Sequence, residues 1–219
     1  DLVRSRGLGD VYKRQQDLVA AHGERWSRYL SKFLVNDSYA FVRGFIGQAQ
    51  VAIENVVGMG ERLWAFAPIQ HLDVVVDPFT NTGPVEGLFS VPGLERLDSL
   101  SVVNAKLGDA AAAILAGAPG LARATWLDLG HNTIGRNGVL ALATGASMAN
   151  KVVVRLDENP WNPVEEPKFD YDGTLVDVAN TADADEIERA VGHRVPWLRY
   201  RWKGRVEPDR YHTRHVAVG

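Results

Sequence analysis

A set of polar and aromatic side chains recurs at intervals of 27 residues in the middle of the sequence. Asp128 and Arg155 are one such pair, and Trp126 stands two positions before Asp128. Tryptophan beside groups of both charges is typical of the residues that dominate protein–protein interfaces. The candidate binding residues are Ser101, Val103, Trp126, Asp128, His131, Arg155, Asp157 and Glu158.

A second string, Phe169-Asp-Tyr-Asp-Gly-Thr-Leu-Val-Asp177, is rich in carboxylates. It resembles the first motif of haloacid dehalogenase-type phosphatases, and the resemblance implies Asp170 as nucleophile and Asp172 as acid/base, with Mg²⁺ between them. In that family the motif follows a buried strand at the start of a large doubly wound domain. Here Glu165-Glu-Pro-Lys precedes the string and only 42 residues follow Asp177. We therefore expect a turn built on Asp-Gly, no catalytic residues and no enzyme.

The remaining chemistry-bearing residues do not form a recognisable site. The histidines at 22, 71, 131, 193, 212 and 215 lack the spacing of metal ligands, and no glycine-rich phosphate loop is present. The absence of cysteine excludes disulfides and cysteine zinc sites. We expect neither a metal nor another cofactor.

Three segments of the sequence align with one another, and they explain the period of 27. They are 97–107, 124–134 and 151–161, whose ninth positions are Ala105, Asn132 and Asn159. A weaker copy covers 69–79. Repeats of this length indicate units that bury their apolar faces against one another.

Within each unit the spacing of apolar residues changes once, from every second residue to a helical period. This change predicts one strand followed by one helix. Leu127 and Leu129 alternate with polar residues, as in a half-buried strand. The Ala- and Leu-rich stretches after Gly108 and Gly135 predict helices of two or three turns, and 61–66 predicts a further helix. Asparagine at the end of a strand can satisfy backbone groups where the chain turns, which makes Asn132 and Asn159 structural residues.

These units resemble leucine-rich repeats, and three strings at 20–26, 41–45 and 63–72 resemble bacterial proteins that carry a repeat-companion domain before the repeats. The resemblance covers about 17–161 and implies an α/β leucine-rich repeat solenoid, a curved parallel sheet with helices on its convex side. It implies that the candidate binding residues lie on the concave face. It further implies interaction with another protein rather than catalysis.

The two ends of the chain differ from the repeats. Residues 5–15 resemble translated sequencing adapter, so we expect 1–15 to be non-native and the true N-terminus, with the companion domain, to be missing. We expect an irregular N-terminal cap at 16–68, with a helix over 17–34, then repeats at 69–161. Residues 162–219 form a C-terminal cap or tail in which 182–191 is a helix and 196–203 an edge strand.

Composition and charge limit the classes of partner that the chain is expected to bind. The chain has 46% hydrophobic and 23% charged residues, which is typical of globular proteins, and no apolar run approaches a membrane span. Segment 157–188 is strongly acidic and 197–215 is basic and aromatic, so the tail could bind single-stranded nucleic acid. We expect it instead to pair with the acidic segment. The sequence thus predicts a non-catalytic protein-binding scaffold, cytoplasmic by default, with no membrane or nucleic-acid partner.

Overall fold

The computed structural model describes residues 13–14, 17, 21–23, 25, 27–42, 45–76 and 85–199, except the side chain of residue 86. Apart from residues 13 and 14, the adapter-like segment lies outside the described residues. The C-terminal residues 200–219, which include His212, His215 and most of the basic tail, also lie outside them.

The described part is built on one six-stranded sheet whose strands follow chain order. Strand β1 (Leu34–Val42) pairs antiparallel with β2 (Phe45–Ala52), and all later pairs are parallel. The remaining strands are β3 (His71–Val75), β4 (Ser99–Ser101), β5 (Trp126–Asp128) and β6 (Val153–Arg155). The chain is therefore a mixed α/β protein with a mostly parallel sheet, as the sequence predicts at this level.

Helices connect three of the four pairs of successive parallel strands, and the described part of the β3–β4 connection contains 3₁₀ turns instead. Helix α1 (Ile53–Phe66) links β2 to β3, α2 (Asp109–Gly117) links β4 to β5, and α3 (Arg136–Thr144) links β5 to β6.

Two glycines let α2 and α3 approach closely. A Cβ at Gly138 would lie 2.6 Å from the Asp109 carboxylate, and one at Gly145 would lie 2.4 Å from Ala116. Larger side chains at these two positions would force the neighbouring units apart.

The core lies between the sheet and these helices. Leu72, Leu100, Leu127 and Val154 stand in register on β3 to β6, and all are buried. They join one apolar cluster with buried helix residues such as Leu115 and Leu142. The alternation predicted at Leu127 and Leu129 is confirmed, because both side chains are fully buried.

Near the N-terminus the structure corrects one prediction and shortens another. Helix α1 begins at Ile53 rather than Glu61, and its backbone departs from helical geometry at Met59. The predicted helix over 17–34 is confirmed at its described residues from 17 to 27, which are helical, whereas 28–33 form turns and β1 begins at Leu34. The sequence of β1 lacks a regular alternation, and only its pairing with β2 makes it a strand.

The C-terminal region follows β6 as a hairpin and a helix. Strands β7 (Glu166–Phe169) and β8 (Leu175–Ala179) pair antiparallel, and α4 (Thr181–Val191) follows. The predicted edge strand is wrong where it is described, because Pro196–Leu198 forms a 3₁₀ turn. Trp197 and Leu198 are both buried, whereas consecutive strand residues would point to opposite faces.

Arg199 fastens this region together. Its guanidinium donates to Glu165 Oε1 at 2.7 Å, to Asp185 Oδ1 at 2.6 Å and to Glu188. The predicted pairing of the basic tail with the acidic segment is thus confirmed at its first basic residue.

Lys151 is the one buried lysine among the described residues. Its ammonium donates to the carbonyl oxygens of Leu121 at 2.8 Å and Ser147 at 2.5 Å, and to Asn150 Oδ1 at 2.9 Å. Burial lowers the pKa of Lys151 to about 8. The bonds tie the loop before β6 to the loop before β5.

Among the described residues, no helix has both the length and the apolar character needed to cross a membrane.

Candidate functional site

The sheet face opposite the helices carries two rows of side chains in register. The first row runs across β2 to β6 and the second lies two residues further along each strand. We call this surface the open face. Its residues are Gln48, His71, Ser99, Trp126 and Val153 in the first row, and Gln50, Asp73, Ser101, Asp128 and Arg155 in the second.

A groove of about 470 Å³ lies over the middle strands of the open face. Its floor is Ser99 and Ser101 of β4, whose side chains are small. His71 and Asp73 stand along β3 on one side, and Trp126 and Asp128 stand along β5 on the other. Because adjacent strands are about 4.8 Å apart, the two walls are separated by about 10 Å at the backbone. Gln48, Gln50, Val103 and Asn104 also line the groove.

His71 is joined to the floor of the groove. A hydrogen bond of 2.8 Å connects His71 Nδ1 and Ser99 Oγ. Burial lowers the pKa of His71 below its ordinary value, and the nearby Asp98 carboxylate only partly opposes this effect. The imidazole is therefore uncharged at neutral pH.

The surroundings of Asp73 disfavour the charged form of its carboxylate. Burial raises its pKa above the ordinary value, the hydrogen bond from Gln48 lowers it, and the Asp128 carboxylate raises it again. The Gln48 amide donates to Asp73 Oδ2 at 3.5 Å, which is a long bond. No Lys or Arg of the described residues forms an ion pair with Asp73.

Arg155, by contrast, is engaged by two carboxylates. Its Nε and Nη2 donate to Asp157 Oδ2 at 2.9 and 2.6 Å, and its Nη1 lies 3.4 Å from Asp128 Oδ2. Asp128 is mostly buried and also accepts the Gly130 N–H at 3.1 Å. One guanidinium thus faces Asp128 and Asp157 at the β5–β6 end of the open face.

The structure gathers only part of the predicted binding set. Ser101, Val103, Trp126 and Asp128 line the groove, and Arg155 with Asp157 lies beside it. His131 and Glu158 do not lie on the strands. They occupy left-handed turn positions with φ of 53° and 56°, after β5 and β6, and both are exposed.

Sequence reasoning missed the β2 and β3 side of the groove. His71 and Asp73 belong to the weak copy at 69–79, and the spacing of 28 from His71 to Ser99 is a signal for both. Gln48 and Gln50 carry no such signal, because β2 lies 23 residues before β3 and lacks the repeat's leucines.

Asn132 and Asn159 secure the turns that follow the strands. Asn132 is buried; its Oδ1 accepts the N–H groups of Ala105 and Leu107 at 2.9 and 3.1 Å, while its Nδ2 donates to three carbonyls. Asn159 repeats this pattern one unit later, accepting from Ile134 N–H at 2.9 Å. The expected bonds from side chain to backbone are therefore present at both positions.

Asn104 stands one place before the asparagine slot of its own repeat. It takes the left-handed position with φ of 55°, equivalent to His131, while Ala105 fills the slot itself. Asparagine tolerates this backbone conformation better than most residues, which accounts for its place one residue early.

Asp170 and Asp172 of the 169–177 string lie at the tip of the β7–β8 hairpin, while Asp177 lies on β8. Asp170 Oδ1 accepts the N–H groups of Asp172 and Thr174 at 3.1 and 2.8 Å, and Gly173 has a φ of 78°. The predicted Asp-Gly turn is confirmed. A phosphatase motif of the resembled kind requires the mouth of a parallel sheet, whereas these carboxylates are exposed on an antiparallel turn.

Within the described ranges, no three His, Asp or Glu side chains are grouped so that they could hold a metal ion. The chain matches no family model, no curated protein and no solved structure.

Proposed function

We propose that this chain is a leucine-rich repeat solenoid, of the bacterial kind that follows a repeat-companion domain, and that it is a non-catalytic scaffold that binds another protein. The concave side of the solenoid is the open face of the sheet. The partner contacts Ser101, Trp126, Asp128 and Arg155, together with His71 and Asp73.

The repetition of one backbone unit supports the solenoid. Asn104, His131 and Glu158 are 27 residues apart, and their φ angles lie between 53° and 56°. Asn132 and Asn159 make equivalent bonds to the preceding unit, and each parallel strand pairs with the next along the chain. Stacked units of this kind form the elongated surfaces that repeat proteins use for binding.

One observation carries the binding function: the in-register rows across five strands are mostly polar, with Trp126 among them, and a groove of about 470 Å³ lies over the middle strands. The other face of the same strands is fully buried. Tryptophan with arginine and aspartate at the middle of a pre-formed surface is the composition of an interface centre. Binding there costs little ordering, because strand positions are already fixed.

A peptide selection tests this proposal, and it does not require the partner to be identified. The full chain is immobilised, a random library of displayed peptides is selected on it, and the enriched pool is measured on variants. Trp126→Ala removes the aromatic anchor and Arg155→Glu reverses the charge of its side chain, so we expect each to weaken pool binding at least tenfold.

Tyr171→Ala is the matched control, because Tyr171 is a fully exposed aromatic residue on the distant hairpin. It should leave binding unchanged. If the pool binds both open-face variants as strongly as the wild type, while circular dichroism shows all variants folded, the open face is not the binding surface.

A further inference from the structure

We propose that the groove on the open face binds an arginine side chain of the partner protein, whose guanidinium lies between Asp73 and Asp128 and stacks on Trp126. This inference rests on the proposed function and specifies the chemistry that the partner must present.

The shape of the groove fits a long, flat cation. Both floor residues, Ser99 and Ser101, are small, while the flanking strands carry larger side chains at the same registers. The walls stand two strand spacings apart, about 10 Å, which admits one extended side chain between them. The groove is open to solvent above the floor, so that the side chain can enter from a partner seated on the sheet.

A bound cation would stabilise the carboxylates of the groove. Asp73 and Asp128 face each other across Ser101, and the field of Asp128 disfavours ionisation of Asp73. Of these two carboxylates, Arg155 offsets only the charge of Asp128, from which it lies 3.4 Å, and no ion pair joins it to Asp73 among the described residues. His71 is uncharged at neutral pH, so it does not supply the missing positive charge.

The groove also contains a hydrogen-bond acceptor that has no donor among the described residues. Gln48 Oε1 is buried and has no hydrogen-bond partner among the described residues, although Gln48 lines the groove. Buried acceptors without donors are uncommon in folded proteins. Because the Gln48 amide is hydrogen-bonded to Asp73, an N–H donor that binds Asp73 would lie near this oxygen.

Arginine fits these demands better than lysine. Its guanidinium is planar, has five N–H donors and can hydrogen bond two acceptors while its face lies on an aromatic ring. Trp126 is the preferred aromatic partner for such a cation. The lysine ammonium is compact and cannot span two carboxylates on different strands in the same way.

The test uses three short probes: acetyl-Gly-Arg-Gly-amide, its lysine analogue and its citrulline analogue, which keeps the shape of arginine but not its charge. Each is titrated into the ¹⁵N-labelled full chain. We expect the arginine probe to shift the Trp126 indole N–H and the Ser99 and Ser101 amides, and to bind at least fivefold more tightly than the lysine probe. The citrulline probe should not saturate.

Two variants locate the binding. Asp73→Asn and Asp128→Asn should each weaken the arginine probe at least fivefold, whereas Asp172→Asn, an exposed carboxylate on the hairpin, should not. Equal affinity for arginine and citrulline, or shifts that survive both groove variants, would overturn the inference. Neither result bears on the peptide selection, because a partner can bind the open face without an arginine.

Discussion

Asn132 concentrates more buried hydrogen bonds than any other described side chain. It accepts two backbone N–H groups of the preceding unit and donates to the carbonyls of Val102, Leu129 and Gly130 at 2.8 to 3.1 Å. Without this amide, the N–H groups of Ala105 and Leu107 and the carbonyl of Val102 would lose these partners in a buried turn. The carbonyl of Gly130 would still accept from Asn104 N–H, and that of Leu129 from Asn159.

We predict that Asn132→Ala lowers the free energy of unfolding by about 2 to 4 kcal/mol, because buried groups left without partners cost about 1 to 3 kcal/mol each and water can satisfy some of them. Asn159→Ala should cost less, because Asn159 is only half-buried. Urea unfolding of both variants measures this order. Equal losses, or a smaller loss at Asn132, would contradict it.

Single residues show what the sequence could and could not disclose about the site. Trp126, Asp128 and Arg155 were predictable because their strands follow the repeat period. The sequence predicts His131 and Glu158 on the binding face because the period cannot distinguish the last strand residue from the left-handed turn that follows it. The importance of Asp73 comes from its burial beside Asp128, which only the folded chain defines.

Among the elements, α4 and the 3₁₀ turn at Pro196–Leu198 depend on Arg199 for their attachment. The guanidinium is largely buried, and its bonds reach Glu165 before the hairpin and two carboxylates on α4. Its hydrogen bond lowers the pKa of Glu188 below the ordinary value. The ionised form of Glu188 is thus favoured in the folded chain.

Arg199→Ala should therefore destabilise the chain by about 2 to 4 kcal/mol at pH 7, since it removes the cation that pairs with the mostly buried carboxylates of Glu165 and Glu188. A carboxyl whose pKa is lowered on folding stabilises the fold above its unfolded pKa, here 4.5, and this contribution disappears as the pH falls through the folded pKa. Urea unfolding at pH 7 and below pH 4 should show the difference between wild type and variant shrinking in acid. A difference that does not change with pH would be inconsistent with this role.

The elements also divide into those that local sequence determines and those that it does not. Helices α2 and α3 were predictable from their Ala and Leu content between glycines. Strand β1 was not, because its residues Asn36 and Asp37 have positive φ and interrupt the alternation. The sequence predicts a strand in place of the 3₁₀ turn at Pro196, since alternating basic and aromatic residues follow it.

For the whole molecule, the period of 27 predicted the α/β class and the parallel strands, because every unit must bury the same face against its neighbours. The sheet nevertheless begins earlier than the repeats indicated, since β2 pairs in parallel with β3 and extends the open face. The groove lies across β3 to β5, with Gln48 and Gln50 of β2 at its edge. Its β2–β3 side therefore belongs to strands without clear repeat residues.

The most direct test of the open face as the binding surface uses the absence of natural cysteine in the chain. Ser101→Cys places a single thiol on the groove floor, and Tyr171→Cys places one on the hairpin; each is labelled with a bulky maleimide. Binding of the selected peptides is then measured for both labelled proteins. The account predicts at least a tenfold loss for the label at position 101 and no change for the label at 171, whereas unchanged binding at both would contradict it.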